Sequence, residues 1–334
     1  MPDVVANTDS WWAGAEWRDW PVPTMPDLTP DQVPWSGQDV PWRRPIASWP
    51  QDPVRTELLR RYDVKIVASA GNPPWKGTSY GMPYQIVTAK GPLTPVWNLL
   101  GAPVWSWSWA QGLVRSSDPI DRLPLPSVVR REGDPGCGPE SDAHWYGVDP
   151  TERRLYEAIS LSKSPLNRLK TWGTTDWCSA GVAAWDTSRT WNAASQPLGV
   201  VAAKVPQFPL VPRWDEIKRG RIDHAIFGVL PDYAPQVTGW ARGSDGTSPG
   251  HPVRAGEPLR LRRSVVDVHP AGSPERIICE ALWQYGWVQC DRNNATTGGI
   301  ALTQDRRWYT GEGSIPRLGE LRVRLSDFEV VTQP

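Results

Sequence analysis

The chain has 334 residues, with 36 Lys plus Arg against 36 Asp plus Glu, and it holds 36 Pro, 29 Gly and 22 Trp. A net charge of 36 − 36 = 0 removes the main electrostatic reason to expect nucleic-acid or membrane-surface binding, and no apolar run approaches the ~18 residues of a membrane span. A compact fold of this length buries roughly 75% of the unfolded chain's surface and needs no staples. So much Pro and Gly favours short strands and loops over long helices, and the core must then rest on large aromatic rings.

Residues 1–50 stand apart. They carry Trp11, Trp12, Trp17, Trp20, Trp35, Trp42 and Trp49 among frequent prolines, with neither helical nor strand periodicity. Such a segment is extended and cannot make its own core, yet disordered tails are poor in aromatics. The expectation is a Trp/Pro-rich docking arm over 1–50, ahead of one domain over 51–334. Its seven rings insert into pockets on the same chain or, the favoured reading, on a partner. The first residues, Met-Pro-Asp-Val-Val-Ala, have neither the basic nor the apolar run of a signal peptide.

A short helix is predicted over 51–63, capped by Asp52 with Pro53 at its first position and Val54, Leu58 and Tyr62 inward. Strand-like runs follow at 64–69, 84–88 and 95–100. In Trp105-Ser-Trp-Ser-Trp109 strict alternation puts three rings on one strand face, either as core or as an aromatic platform for glycan. The region 115–140 is loop-like. The clearest hairpin joins 141–149 to 154–160 through Asp149-Pro-Thr-Glu152, with Pro where a type I turn takes it. Further strands are expected at 181–186, 221–230, 258–263, 287–290, 300–303 and 326–331. A helix is expected over 273–286, with Ser273 as cap, Pro274 at its start and Gly286 at its end.

No glycine-rich nucleotide loop, HExxH or GxSxG occurs. The four cysteines, Cys137, Cys178, Cys279 and Cys290, form no CxxC pair, so neither a metal site nor a cofactor is expected. Free thiols are favoured over a Cys279–Cys290 bridge. The titratable candidates are Asp142, His144, Asp186, Asp223 and His224. Asp142 and His144 are two apart and share a face if the segment is a strand. His224 sits among apolar neighbours in Trp214-Asp-Glu-Ile-Lys-Arg-Gly-Arg-Ile-Asp-His-Ala-Ile-Phe227. A hydrogen-bonded core histidine, with Asp142 or His144 as partner, is favoured over a ligand site.

Several short motifs stand in order along the chain: Trp49-Pro-Gln-Asp-Pro53, Ser141-Asp-Ala-His144 with Arg154-Leu-Tyr-Glu157, and Gly181-Val-Ala-Ala-Trp-Asp186. Glu216-Ile-Lys-Arg-Gly-Arg-Ile-Asp-His-Ala-Ile226 follows. After it come Ser244-Asp-Gly246, Pro258-Leu-Arg-Leu261 and Ala281-Leu-Trp-Gln-Tyr-Gly286. In this order they resemble a family of actinobacteriophage minor tail proteins that shares its domain with uncharacterised secreted actinobacterial proteins. The resemblance implies a mainly β fold, a jelly-roll-like β-sandwich with a few short helices, and carries no catalytic residues. It implies a virion tail component at the tip or baseplate, made in the host cytoplasm. Its partners are other tail proteins, in several copies, with host-envelope glycan as a further contact through Trp105, Trp107 and Trp109. Two alternatives stay open: a glycoside hydrolase using a pair among Asp142, Asp186 and Asp223, and a carbohydrate-binding module.

Overall fold

The computed structural model describes residues 24–69, 81–98, 107–108, 112–113, 122–134, 142–163, 177–192, 197–293, 295–308 and 321–334. Its strands in chain order are β1 (Lys65–Ser69), β2 (Tyr84–Ile86), β3 (Thr94–Asn98), β4 (Trp107–Ser108), β5 (Gly112–Leu113), β6 (Arg122–Leu123), β7 (Trp145–Asp149), β8 (Arg154–Ile159), β9 (Ser162–Lys163) and β10 (Trp177–Ser179). They continue with β11 (Gly181–Asp186), β12 (Ile226–Leu230), β13 (Ala234–Val237), β14 (Arg254–Ala255), β15 (Pro258–Leu261), β16 (Trp287–Arg292), β17 (Gly298–Ala301), β18 (Val323–Arg324) and β19 (Phe328–Val330). The described α-helices are short: α1 (Pro53–Leu59), α2 (Trp214–Lys218), α3 (Arg263–Val266) and α4 (Pro274–Gln284). The protein is mainly β, as its composition and motifs led us to expect.

The main sheet runs β18-β1-β17-β12-β16-β15-β19, and a second runs β11-β8-β7-β2. A third, β6-β3-β10-β9, packs nearby through Val96, Leu123 and Trp177. Both larger sheets mix directions: β1 runs parallel to β17, β12 to β16 and β2 to β7. The hairpin β7–β8 is antiparallel, with Asp149 opposite Arg154, and Asp149 Oδ1 accepts from Thr151 N (3.0 Å) and Glu152 N (2.9 Å) to tie its turn.

Period-two alternation divides the second sheet between two cores. Tyr146, Val148, Leu155, Ala183 and Trp185 face the main core, while Trp145, Tyr156, Ala158 and Val182 face a smaller one with Val87, Val96 and Leu123. All five residues of β7 are buried.

The opening of the motif stretch is not strand. Pairing begins only at Ile226, because Ala225 N donates to Trp42 O (2.7 Å) and the chain from Arg221 is turned by Gly220 at φ 76°. From there β12 is the central strand of the main sheet. Its Gly228 is required by a close approach: a Cβ there would lie 1.7 Å from Trp287 Nε1.

The caps expected for α1 and α4 are present: Asp52 Oδ1 accepts from Arg55 N (3.0 Å) and Ser273 Oγ from Arg276 N (3.1 Å). The inward face of α1 differs from expectation. Val54 is exposed, and Thr56 and Leu59 are buried, because Thr56 Oγ1 accepts from Val330 N (3.0 Å) and docks the helix on β19. That contact, with Asp52 N donating to Val330 O (2.8 Å), also closes the outer edge of β19 against further pairing.

Residues 24–50 lie across the body. Met25 N donates to the buried Asp305 (3.1 Å), and Arg307 Nη2 donates to Met25 O (2.9 Å). Trp35 and Trp42 are 0% and 1% exposed, stacked edge-on at 5.3 Å. Trp35 meets Trp185 at 6.2 Å and Trp42 meets Trp191 at 5.2 Å. Ile46 N then donates to Gln284 O (2.7 Å), and Arg260 Nη1 donates to Ala47 O (2.8 Å) and Trp49 O (2.7 Å). Trp35 and Trp42 thus belong to this chain's own core and are not open to a partner, which corrects the docking role expected for them. Trp49 is half-buried, and Trp11, Trp12, Trp17 and Trp20 lie outside the described residues.

Trp35→Ala should cost about 3–5 kcal/mol, the range for a buried aromatic truncated to Ala, and Trp49→Ala distinctly less. Urea unfolding of the two variants checks this, and equal losses would contradict the packing described.

Candidate functional site

Two buried polar clusters form where the sheets meet. The first is built by α2 and the turn after it. Arg213 precedes the helix, and its backbone N donates to Glu216 Oε2 (2.9 Å) while its guanidinium pairs with Glu216 Oε1 (2.5 Å). Arg219 reaches back one turn to Asp215 (2.6 Å). His224 Nε2 lies 3.1 Å from Glu216 Oε1, and its Nδ1 lies 2.7 Å from Ala225 O. Burial raises the pKa of Glu216, but the charges of Arg213 and His224 and the hydrogen bonds they make outweigh it and hold the carboxyl at about 2. His224 is a hydrogen-bonded core residue whose partner is Glu216, not the Asp142 or His144 expected from sequence.

The second cluster gathers on the main-core face of β7 and β8. His144 is buried, with Nδ1 2.6 Å from Glu132 Oε2, and its ring stacks on Tyr146 at 6.2 Å and 6°. Burial opposes charge on the ring. The hydrogen bond and charge of Glu132, with the charges of Asp142 and Asp291, overcome this and raise its pKa to about 9. Tyr146 Oη hydrogen-bonds the Gln207 side chain. Glu157, opposite Tyr146 in register, accepts from Gln207 N and Phe208 N (2.8 Å each), yet burial still lifts its carboxyl to about 8. Asp291, at the end of β16, is raised to about 7 by burial and by the neighbouring charge of Asp245, while burial pushes Lys204 down to about 8. Two atoms here have no hydrogen-bond partner: His144 Nε2 and Glu157 Oε2.

The five candidates read from sequence are not one cluster. Asp142 and His144 do not share a face: Ala143 takes a left-handed φ of 37°, which turns Asp142 out to solvent and His144 inward. Asp186 lies at the turn end of the second sheet, opposite Arg154, where it binds Ser188 Oγ (2.5 Å). Asp142 lies at the other end, its carbonyl accepting from Ser160 N (2.6 Å). At about 3.3 Å per strand residue the two ends are roughly 20 Å apart, beyond the ~5–10 Å of a glycosidase carboxylate pair. Asp223 pairs with Arg221 (3.0 Å) on the surface. The side chains of Trp105, Trp107 and Trp109 lie outside the described residues, although the backbone of Trp107 forms β4 opposite Leu113.

Sequence reasoning missed Glu132, Glu157, Lys204, Gln207, Arg213, Glu216 and Asp291. Glu157 had a signal: alternation sets it beside Leu155 and Ile159 on an apolar face. Glu132, Lys204 and Gln207 come from loops, where no periodicity marks an inward side chain. Among the described residues no group of His, Cys, Asp and Glu is arranged to hold a metal ion; Cys279 and Cys290 are buried free thiols, and Cys178 is buried.

The fold and these clusters define a mainly β protein with a charged interior between its layers. In comparisons with known proteins, no family model, no curated protein and no solved structure matches the chain significantly.

Glu216→Gln should destabilise the fold by about 3–5 kcal/mol, because it removes the nearer counter-charge of the buried Arg213 and leaves it only Asp215 at 3.5 Å. The carboxyl is held below its unfolded value. Its contribution is therefore full above about pH 4.5 and lost as pH falls toward about 2. Thermal unfolding from pH 7 to 2 should show a flatter acid limb in the variant than in wild type.

Proposed function

We propose that the chain is a structural component of a phage virion tail, a minor tail protein at the tail tip or baseplate, fastened to its neighbours by the first part of its Trp/Pro-rich arm. The observation that carries this reading is the way residues 24–50 lie on the body. They form two single-turn 3-10 helices, Pro30–Gln32 and Pro41–Arg43, joined by turns and without sheet pairing, and hold on by inserting rings, as Trp35 and Trp42 do. The four tryptophans before them, Trp11, Trp12, Trp17 and Trp20, belong to the same kind of sequence and suit the same mode of attachment on a neighbouring tail protein. The resemblance of the motif order to that of minor tail proteins supports the same assignment. So does the separation of Asp142 from Asp186, which favours a structural over a hydrolytic role. Balanced surface pairs, such as Lys218–Asp27 and Arg44–Asp39, leave the described surface without the basic stripe that nucleic acid would require. Host-envelope glycan, stacked on the tryptophans of 105–109, is the second contact of this reading.

Removing residues 1–23 should leave a folded protein that no longer enters particles of the encoding phage. Quantifying the protein in purified virions tests this, and undiminished incorporation would sink the arm's role. Changing Trp105, Trp107 and Trp109 together to Ala should abolish binding to host cell-envelope glycan without affecting incorporation, as read by a pull-down on isolated envelopes.

A further inference from the structure

The second cluster joins two sheets. Glu132, His144, Tyr146 and Glu157 come from the β7–β8 layer and the loop packed on it, and Asp291 comes from β16 of the main sheet. The groups that face it from other elements are Lys204 and Gln207 of the segment before α2 and Asp245 of the loop after β13, while Asp142, turned to solvent, acts on His144 through its charge alone. Four carboxyls (Glu132, Glu157, Asp245, Asp291) thus gather around one imidazole and one amine. Glu132 and Glu157 are among the buried charged residues.

Geometry favours a proton on Glu157, and the pairing of His144 with Glu132 favours a charged ring. Glu157 Oε1 takes two backbone N–H groups, but Oε2 has no donor, so an ionised carboxylate would leave charge unpaired in the interior. His144 Nε2 has no partner either, and a neutral ring would weaken the attraction to Glu132 that anchors the 131–134 loop to β7. Both atoms lie on one face, since Glu157 stands opposite Tyr146 and the His144 ring is parallel to Tyr146.

We propose that this cluster is a proton-operated lock between the layers: holding protons it lets the second sheet close on β16, and emptied of them it gathers negative charge that loosens β7 and β8 from the main sheet. The sign follows group by group. Glu157 and Asp291 have folded values raised to about 8 and about 7, so the stability they allow is greatest below their unfolded values near 4 and falls as pH rises through 7 and 8. His144 adds to the loss as pH rises through about 9. Lys204 is shifted the other way and offsets part of the loss above about pH 8. Glu216 stays ionised over this range, so its pairing with Arg213 keeps the α2 region from loosening with the second sheet.

Hydrogen exchange of the full chain at pH 6 and pH 9, corrected for intrinsic exchange rates, reads the lock directly. Amides of 145–159 should lose protection on the order of tenfold or more between the two pH values, the scale of a one-unit proton linkage, while those of α4 and β15 should not. Glu157→Gln, which mimics the protonated carboxyl, should remove most of that pH dependence, and so should Asp291→Asn on the opposite sheet. If wild type shows equal protection at both pH values, or if both variants keep its full pH dependence, the lock does not exist. The wild-type profile alone decides the matter if either variant fails to fold.

Discussion

Burial of the β7–β8 sheet on both faces is the constraint from which much of the rest follows. One face meets the main core through Tyr146, Leu155 and Trp185, and the other meets the smaller core through Trp145, Tyr156 and Val182. With no solvated side, any polar side chain on these strands must be satisfied from inside. That is why Glu157 is met by backbone N–H groups of Gln207 and Phe208, and why His144 draws Glu132 in from a loop. It also explains why a protein with a modest hydrophobic fraction depends on tryptophan. Of the twelve largest fully buried side chains among the described residues, six are Trp: Trp35, Trp42, Trp145, Trp185, Trp287 and Trp308. Each ring covers area that several small aliphatic residues would otherwise have to supply.

The charged interior takes two different forms. Around Glu216 every charge has an opposite within contact, so burial is offset by Arg213 and His224 and the carboxyl is strongly acidic. Around His144 carboxyls outnumber cations, and the same burial drives protons onto Glu157 and Asp291. The two clusters differ in stoichiometry of charge, not in depth. Glu216 stays ionised through the physiological range, while burial shifts Glu157 and Asp291 toward it.

The architecture was legible where local rules dominate. The β7–β8 hairpin could be read from Asp149-Pro-Thr-Glu152, and both helix starts from Asp52-Pro53 and Ser273-Pro274, since turns and caps are decided by neighbours in sequence. Residues 221–225 misled because Ile222, His224 and Ile226 alternate, while the tertiary bond from Ala225 N to Trp42 O holds that segment off the sheet. The face of α1 misled in the same way: Thr56, poor in apolar area, is turned inward by a hydrogen bond to Val330 that no periodicity encodes. The site was less legible than the fold. Asp142 and His144 look like neighbours on one face, and a single left-handed Ala143 sends them to opposite environments. The associates of His144, Glu132 and Asp291, are 12 residues away in a loop and on a strand of another sheet.

The path of residues 24–50 has a mechanical consequence. The strap is held at Met25 by Asp305 and Arg307, in the middle by Trp35 and Trp42, and at its end by Gln284 and Arg260. It touches the second sheet at Trp185 and the main sheet at Arg260 before the chain enters α1. A pull on the chain ahead of Met25 meets these attachments in turn, so tension entering at this end is divided between the two layers before it reaches α1.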